Sequence, residues 1–144
     1  MTHAHVDELV AAGVLRRNRP DAEAAERELA MAKQHVASSR LISAVDSAGA
    51  LALAYDATRK ALEAHMRANG LRVGSGEGGH AKLARYGVAA FGDNAAGEHF
   101  RMFDRVRRVR NSVQYDAFGV EDADVAFALE QAEAIVAVVE ADLL

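Results

Sequence analysis

Apolar positions recur along the chain at intervals of three and four, the spacing that gathers them on one helix face, and short polar breaks divide them into six stretches. The first predicted helix, residues 5–15, is short. The second opens after Asn18 with Pro20 and Asp21 in its first turn, where a fixed φ and a negative charge suit a helix start. Its stripe is Ala22, Ala25, Leu29, Ala32 and Val36. Asp46 or Ser47 can cap the third helix, whose stripe runs Leu51, Tyr55, Thr58, Leu62, Met66 and which stops at Asn69 and Gly70. Residues 80–91 predict a fourth, shorter helix, and residues 95–118 a fifth. The sixth, entered through Glu121 and Asp122, should bury Val125, Leu129, Ala132, Val136, Val139 and Leu143. Four long helices and two short ones predict an all-α, up-and-down helical bundle. With no internal repeat and no Pro-, Gly- or Ser-rich linker, residues 1–144 read as one domain.

Composition sharpens this picture. Aromatic residues make up 6% of the 144 positions, there is a single proline, and alanine is abundant, so helices have strong local propensity and strands little to build from. The absence of cysteine excludes disulfides and thiolate metal sites. No apolar run is long enough to span a bilayer, and the start MTHAHVDELV lacks the cationic and apolar regions of a secretory signal, so a cytoplasmic protein without membrane contact is expected.

Charge is distributed unevenly. Of 21 acidic residues, eight follow Arg110 and no lysine or arginine does, leaving 17 basic against 13 acidic residues in 1–110. Either the last helix pairs with earlier ones or the earlier part offers a basic surface to an anion.

The stretch RVRRVRNSVQYD, residues 105–116, carries the chemical interest. With Phe103 at the centre of the fifth helix's apolar face, Val106, Val113 and Ala117 fall within about 80° on one side and Phe100 about 60° on the other, while Arg110 lies about 20° from the centre. Arg110 therefore points inward. Arg101, Arg105 and Arg108 point to the opposite, solvated face. Gln114 lies one turn after Arg110, and Asn111 and Tyr115 form a second pair on the flank, making a polar island on an apolar stripe. An unpaired buried arginine costs about 3–5 kcal/mol, so a partner is required. Two candidates remain open: a carboxylate of the acidic last helix, or a phosphate, whose oxygens match the guanidinium fork. The basic stretch 101–110, Arg107 included, is the candidate nucleic-acid surface, although no exposed aromatics interleave it for base stacking.

Two motifs carry less. GSGEGG, residues 74–79, fits G-x-G-x-x-G but follows a helix, whereas a dinucleotide fingerprint follows a strand. Glu77 and His80 have Glu-x-x-His spacing, but glycines interrupt the only copy, so no metal site and no cofactor are expected. His65 lies on the apolar face of the third helix, as a satisfied core histidine or, if that helix packs on the fifth, a neighbour of Arg110. His3, His5 and His35 read as surface positions.

Arg110-Asn111-Ser112-Val113-Gln114-Tyr115 late in a long helix, the acidic helix after it, and AYDATRKALEAHMRANGL leading through the glycine loop to GGHAKL resemble the HEPN family, the higher-eukaryote and prokaryote nucleotide-binding domains, over residues 21–144. The resemblance implies a bundle that homodimerises through the helix of Arg110. Many members are metal-independent ribonucleases whose motif is arginine, a polar residue, three variable residues and histidine. Arg110 and Asn111 match the first two positions, and His80 resembles a histidine that related bundles carry there. Tyr115 stands where the histidine belongs, and a phenol with a pKa near 10 is a poor base where imidazole, near 6.5, is a good one. The resemblance thus implies a catalytically degenerate module that takes RNA phosphate or a nucleotide, with Arg110, Asn111 and Tyr115 at its centre and Arg107, Gln114, His65 and His80 as binding residues. A nucleotidyltransferase partner in a toxin–antitoxin-like system is also implied. The alternatives are an active ribonuclease using Arg110, Asn111 and Tyr115 with help from His65, and a purely structural protein-interaction scaffold.

Overall fold

The helical rhythm of the sequence becomes six helices: α1 (His3–Ala11), α2 (Ala22–Ile42), α3 (Ser47–Ala68), α4 (Gly79–Phe91), α5 (Gly97–Tyr115) and α6 (Asp122–Leu143). This computed structural model describes the backbone of residues 1–115 and 119–144 and the side chains of residues 1–112 and 119–144. The architecture is the all-α bundle that periodicity predicts, and α3 is its axis. It packs most extensively on α2 and then on α6, with α4 and α5 closing its remaining sides. The predicted stripe of α3, from Leu51 to Met66, is wholly buried, with Ala50, Ala54, Ala57, Ala61 and Ala64 filling the gaps between its large residues. These small side chains let neighbouring helices approach, and one continuous apolar cluster runs from Val6 of α1 to Val139 of α6.

Local chemistry sets the ends. Asp46 caps α3 by accepting from the Gly49 amide at 2.8 Å. Asp21 caps α2 from outside the helix, accepting from the Ala24 amide at 2.9 Å, so Pro20 and Asp21 precede the first turn instead of lying in it. Ala22 is accordingly exposed. In α6, Leu129 and Leu143 are only half-buried, whereas Ala128, Gln131 and Ile135 are buried, because α6 lies between α2, α3 and α5 and buries a broader band than one stripe. Buried Gln131 meets Nδ1 of His99 at 2.8 Å. The part of the fifth predicted helix at residues 116–118, and with it Ala117, lies outside the described residues.

One element escapes the helical reading. The first helix ends at Ala11, and after Gly13, with φ +77°, the chain turns into a strand, β1 (Leu15–Arg17). It pairs antiparallel with β2 (Leu71–Val73), with Leu15 opposite Val73, Arg16 opposite Arg72 and Arg17 opposite Leu71. Three residues are too few for a period-2 signature, and the register depends on the α2–α3 hairpin bringing Leu71 back beside Arg17. Gly70, at φ +66°, makes that return: a Cβ there would lie 2.7 Å from the Asn18 carbonyl oxygen. The glycine loop 74–79 thus follows a strand after all. That strand has only an antiparallel partner, so the parallel βαβ unit of a dinucleotide fold is absent among the described residues. Among them, too, no helix is long and apolar enough to cross a membrane.

Candidate functional site

Arg110 is half-buried, and its guanidinium carbon sits 5.0 Å from the centroid of the Tyr55 ring. This contact explains the arginine on the apolar stripe. Tyr55 is 0% exposed, stacked on Phe103 of α5 with centroids 5.5 Å apart, and Arg110 roofs it one to two turns further along the same helix. A cation over an aromatic face contributes about 0.5–2 kcal/mol and keeps the charge near solvent. Among the described residues, no carboxylate of the last helix or any other element pairs with Arg110. Three acids of α6 are committed elsewhere, Glu133 to Arg40 and Glu140 to Lys33 of α2 (2.8 Å), and Asp142 to His65 of α3 (2.6 Å). Pairing with earlier helices therefore accounts for three of the eight acids that follow Arg110.

The Tyr55 hydroxyl lies 2.7 Å from Nδ1 of His80, a residue that is exposed overall but turns this edge inward from the first turn of α4. Burial pushes the Tyr55 hydroxyl up to about 12, against the lowering influence of Arg110, Arg107 and Arg59, so it keeps its proton at neutral pH. Burial, with Arg59 and Arg110 adding to it, holds the His80 imidazole below its ordinary pKa, so the ring is neutral there. Tyr55 has no other acceptor among the described residues, which assigns its proton to the bond with Nδ1. The proton of the neutral imidazole is then on Nε2. The cluster consequently faces solvent with a guanidinium and an imidazole N–H, both donors.

Arg107, one turn before Arg110, bonds Asp104 through Nε at 2.8 Å and lines a groove of about 530 Å³ between α1, α4 and α5. Arg59, one turn after Tyr55, is held between Asp56 at 3.4 Å and Glu63 at 2.8 Å. Asn111 is half-buried and Arg108 is exposed against Asp104. Arg105 is exposed too, but lies 5.0 Å over the Phe127 ring instead of being purely solvated. The side chains of Gln114 and Tyr115 lie outside the described residues.

His65 is elsewhere. Ten residues beyond Tyr55 on α3, about 15 Å along the helix axis, it is fully buried, with Nδ1 2.5 Å from the Tyr86 hydroxyl and Nε2 2.6 Å from Asp142. Both ring nitrogens are used, the core-histidine alternative, and no edge remains for a ligand at Arg110. The structure thus brings together Arg110, Arg107 and His80 but not His65. Tyr55, whose position on the stripe reads simply as core, was the missing member. The available signal was its hydroxyl, which a buried tyrosine must hand to a partner.

Comparison of the chain with family models, curated proteins and solved structures finds no match in any of the three.

Proposed function

We propose that the chain is a HEPN-type helical module that binds an RNA phosphate or a nucleotide at the Arg110–Tyr55–His80 cluster and is catalytically degenerate. The observation that carries this reading is the Arg110 guanidinium laid on the buried Tyr55 ring, whose hydroxyl meets His80. The contact with the ring holds the guanidinium over Tyr55 near solvent, where its N–H groups can meet an anion, and the imidazole Nε2–H adds a second donor. Cleavage through a neighbouring 2′-hydroxyl requires a proton acceptor, and with Nδ1 occupied and Nε2 protonated, His80 is not one. The family resemblance adds a homodimer through α5, placing two such clusters near each other, and a nucleotidyltransferase partner.

The test is incubation of labelled mixed-sequence RNA in excess EDTA with wild type, Arg110→Ala and His80→Ala, reading gel shift and cleavage in the same samples. A shift in wild type, lost with Arg110→Ala and weakened with His80→Ala, without cleavage, is expected. Cleavage that survives EDTA and disappears with Arg110→Ala would make the protein a ribonuclease, and absence of both would leave a scaffold.

A further inference from the structure

The β1–β2 ribbon sets two arginines directly opposite each other, Arg16 and Arg72, both exposed. Directly opposed residues of an antiparallel pair share one face, and like charges so placed destabilise the pair. Neither has a carboxylate partner among the described residues. Arg16 donates instead to the neutral Ser75 hydroxyl at 2.7 Å, on the glycine loop that leads to His80. Lys82 holds the same loop, donating to the Ser75 carbonyl at 3.0 Å. Arg72 lines a groove with Arg67, Asn18 and Glu63, and Glu63 is bound to Arg59, the guanidinium that acts electrostatically on both His80 and Tyr55. The ribbon and the Arg110 cluster are therefore neighbouring parts of one arginine-rich surface, on which Glu63 and Asp56 are both bound to Arg59, Asp7 to Arg17 and Asp104 to Arg107, while Arg16 and Arg72 have no acid of their own among the described residues.

We propose that this surface is a track for the backbone of single-stranded RNA, in which Arg16 and Arg72 take a phosphate beyond the one at Arg110. The inference rests on reading the Arg110 cluster as a phosphate site, and it makes the ligand a polynucleotide in preference to a mononucleotide. A bound phosphate relieves the Arg16–Arg72 repulsion, which the bare ribbon leaves uncompensated. An RNA chain supplies such a group at every nucleotide, whereas an acidic peptide must carry acids at matching positions. Recognition is through the backbone and therefore sequence-independent and salt-sensitive.

The test is fluorescence anisotropy with labelled oligouridylates of about 4 and about 20 nucleotides over roughly 50–200 mM salt. It compares wild type, Arg16→Ala/Arg72→Ala, Arg16→Lys/Arg72→Lys and Arg110→Ala, each checked for folding by circular dichroism. The double alanine variant is expected to lose about tenfold in affinity for the long RNA and about 0.7 from its log–log salt slope, the contribution of one phosphate contact on a single strand, and to bind the short RNA as wild type does. The double lysine variant should keep the slope, and Arg110→Ala should weaken both lengths. A double alanine variant that binds the long RNA with wild-type affinity and slope overturns the track while leaving the Arg110 site standing. Displacement of the long RNA by polyglutamate of equal charge, as effective as displacement by unlabelled RNA, overturns it in favour of an acidic protein partner. Wild type that binds neither length in an Arg110-dependent way defeats the proposed function and the track together.

Discussion

Two tyrosine–histidine hydrogen bonds span the bundle, Tyr86–His65 between α4 and α3, and Tyr55–His80 between α3 and α4, and they lead different chemical lives. In the first, both rings are buried, the second ring nitrogen of the histidine is bonded to Asp142, and helices α3, α4 and α6 are tied at one point. Every donor and acceptor of the imidazole is spent inside the protein. In the second, the tyrosine is equally buried, but the histidine sits at the rim, its outer edge faces solvent, and its charged neighbour is a guanidinium instead of a carboxylate. The same pair of side chains thus serves as a structural tie where all its valences close and as a candidate binding site where one stays open. What differs is the position of the histidine relative to the core boundary.

The largest expected effect breaks the closed pair. His65→Ala leaves a cavity, strips buried Tyr86 of its partner and leaves Asp142 only the N-terminal ammonium, and should destabilise the fold by about 3 kcal/mol in urea unfolding. A loss under about 1 kcal/mol would show that the tie is not structural. Arg110→Ala should do the reverse, abolishing RNA binding in a gel shift while costing stability no more than about 2 kcal/mol, the upper contribution of its cation–π contact. Arg110→Lys should fall between, because lysine keeps the charge and lacks the planar fork.

Acid should also separate the pairs. Burial holds the His65 imidazole below its ordinary 6.5, outweighing the opposing pull of Asp142. The unfolded chain therefore takes up this proton more readily, and stability present at neutral pH is lost as pH falls below about 6.5. Burial alone would raise Asp142, but its bond and attraction to His65 hold it below 3.8, so a second loss follows at lower pH. A stability that falls between roughly pH 7 and 5, with a slope of at most about 1.4 kcal/mol per pH unit for His65 and as much again for His80, is expected, and it should be read as a falling Tm; a Tm that rises would contradict the assignment. The smallest effect belongs to Tyr55→Phe, which removes the donor to Nδ1 of His80. By NMR titration the His80 pKa should move up towards the ordinary value, with a stability loss near 1 kcal/mol. An unmoved His80 pKa would show that the hydroxyl does not set its protonation.

Most of the helical architecture was legible, since a stripe such as Leu51–Met66 reports the buried face of α3 without reference to any partner. The inward placement of Arg110 was legible for the same reason. Its neighbour was not: periodicity says that α5 presents Arg110 to the core, but whether Tyr55 or a carboxylate of α6 waits there depends on which helices pack and at what height. His65 and Tyr55 stand on the same face of α3, and only their distance along the axis separates the core tie from the candidate site. The ribbon was illegible because three-residue strands carry no period and their pairing is made by residues more than 50 positions apart.

By itself, then, the sequence determined five of the six helices closely, their apolar faces, a cap at Asp46 or Ser47, the acidic entry to α6, and the inward arginine, all consequences of local propensity and of a 3.6-residue repeat that needs no partner. The tertiary structure alone decided which histidine meets which tyrosine, where the acids of α6 are bound, and that Arg16 stands opposite Arg72. Those outcomes depend on the relative height and rotation of packed elements, and such geometry is set by the whole core at once, not by any one stretch of chain.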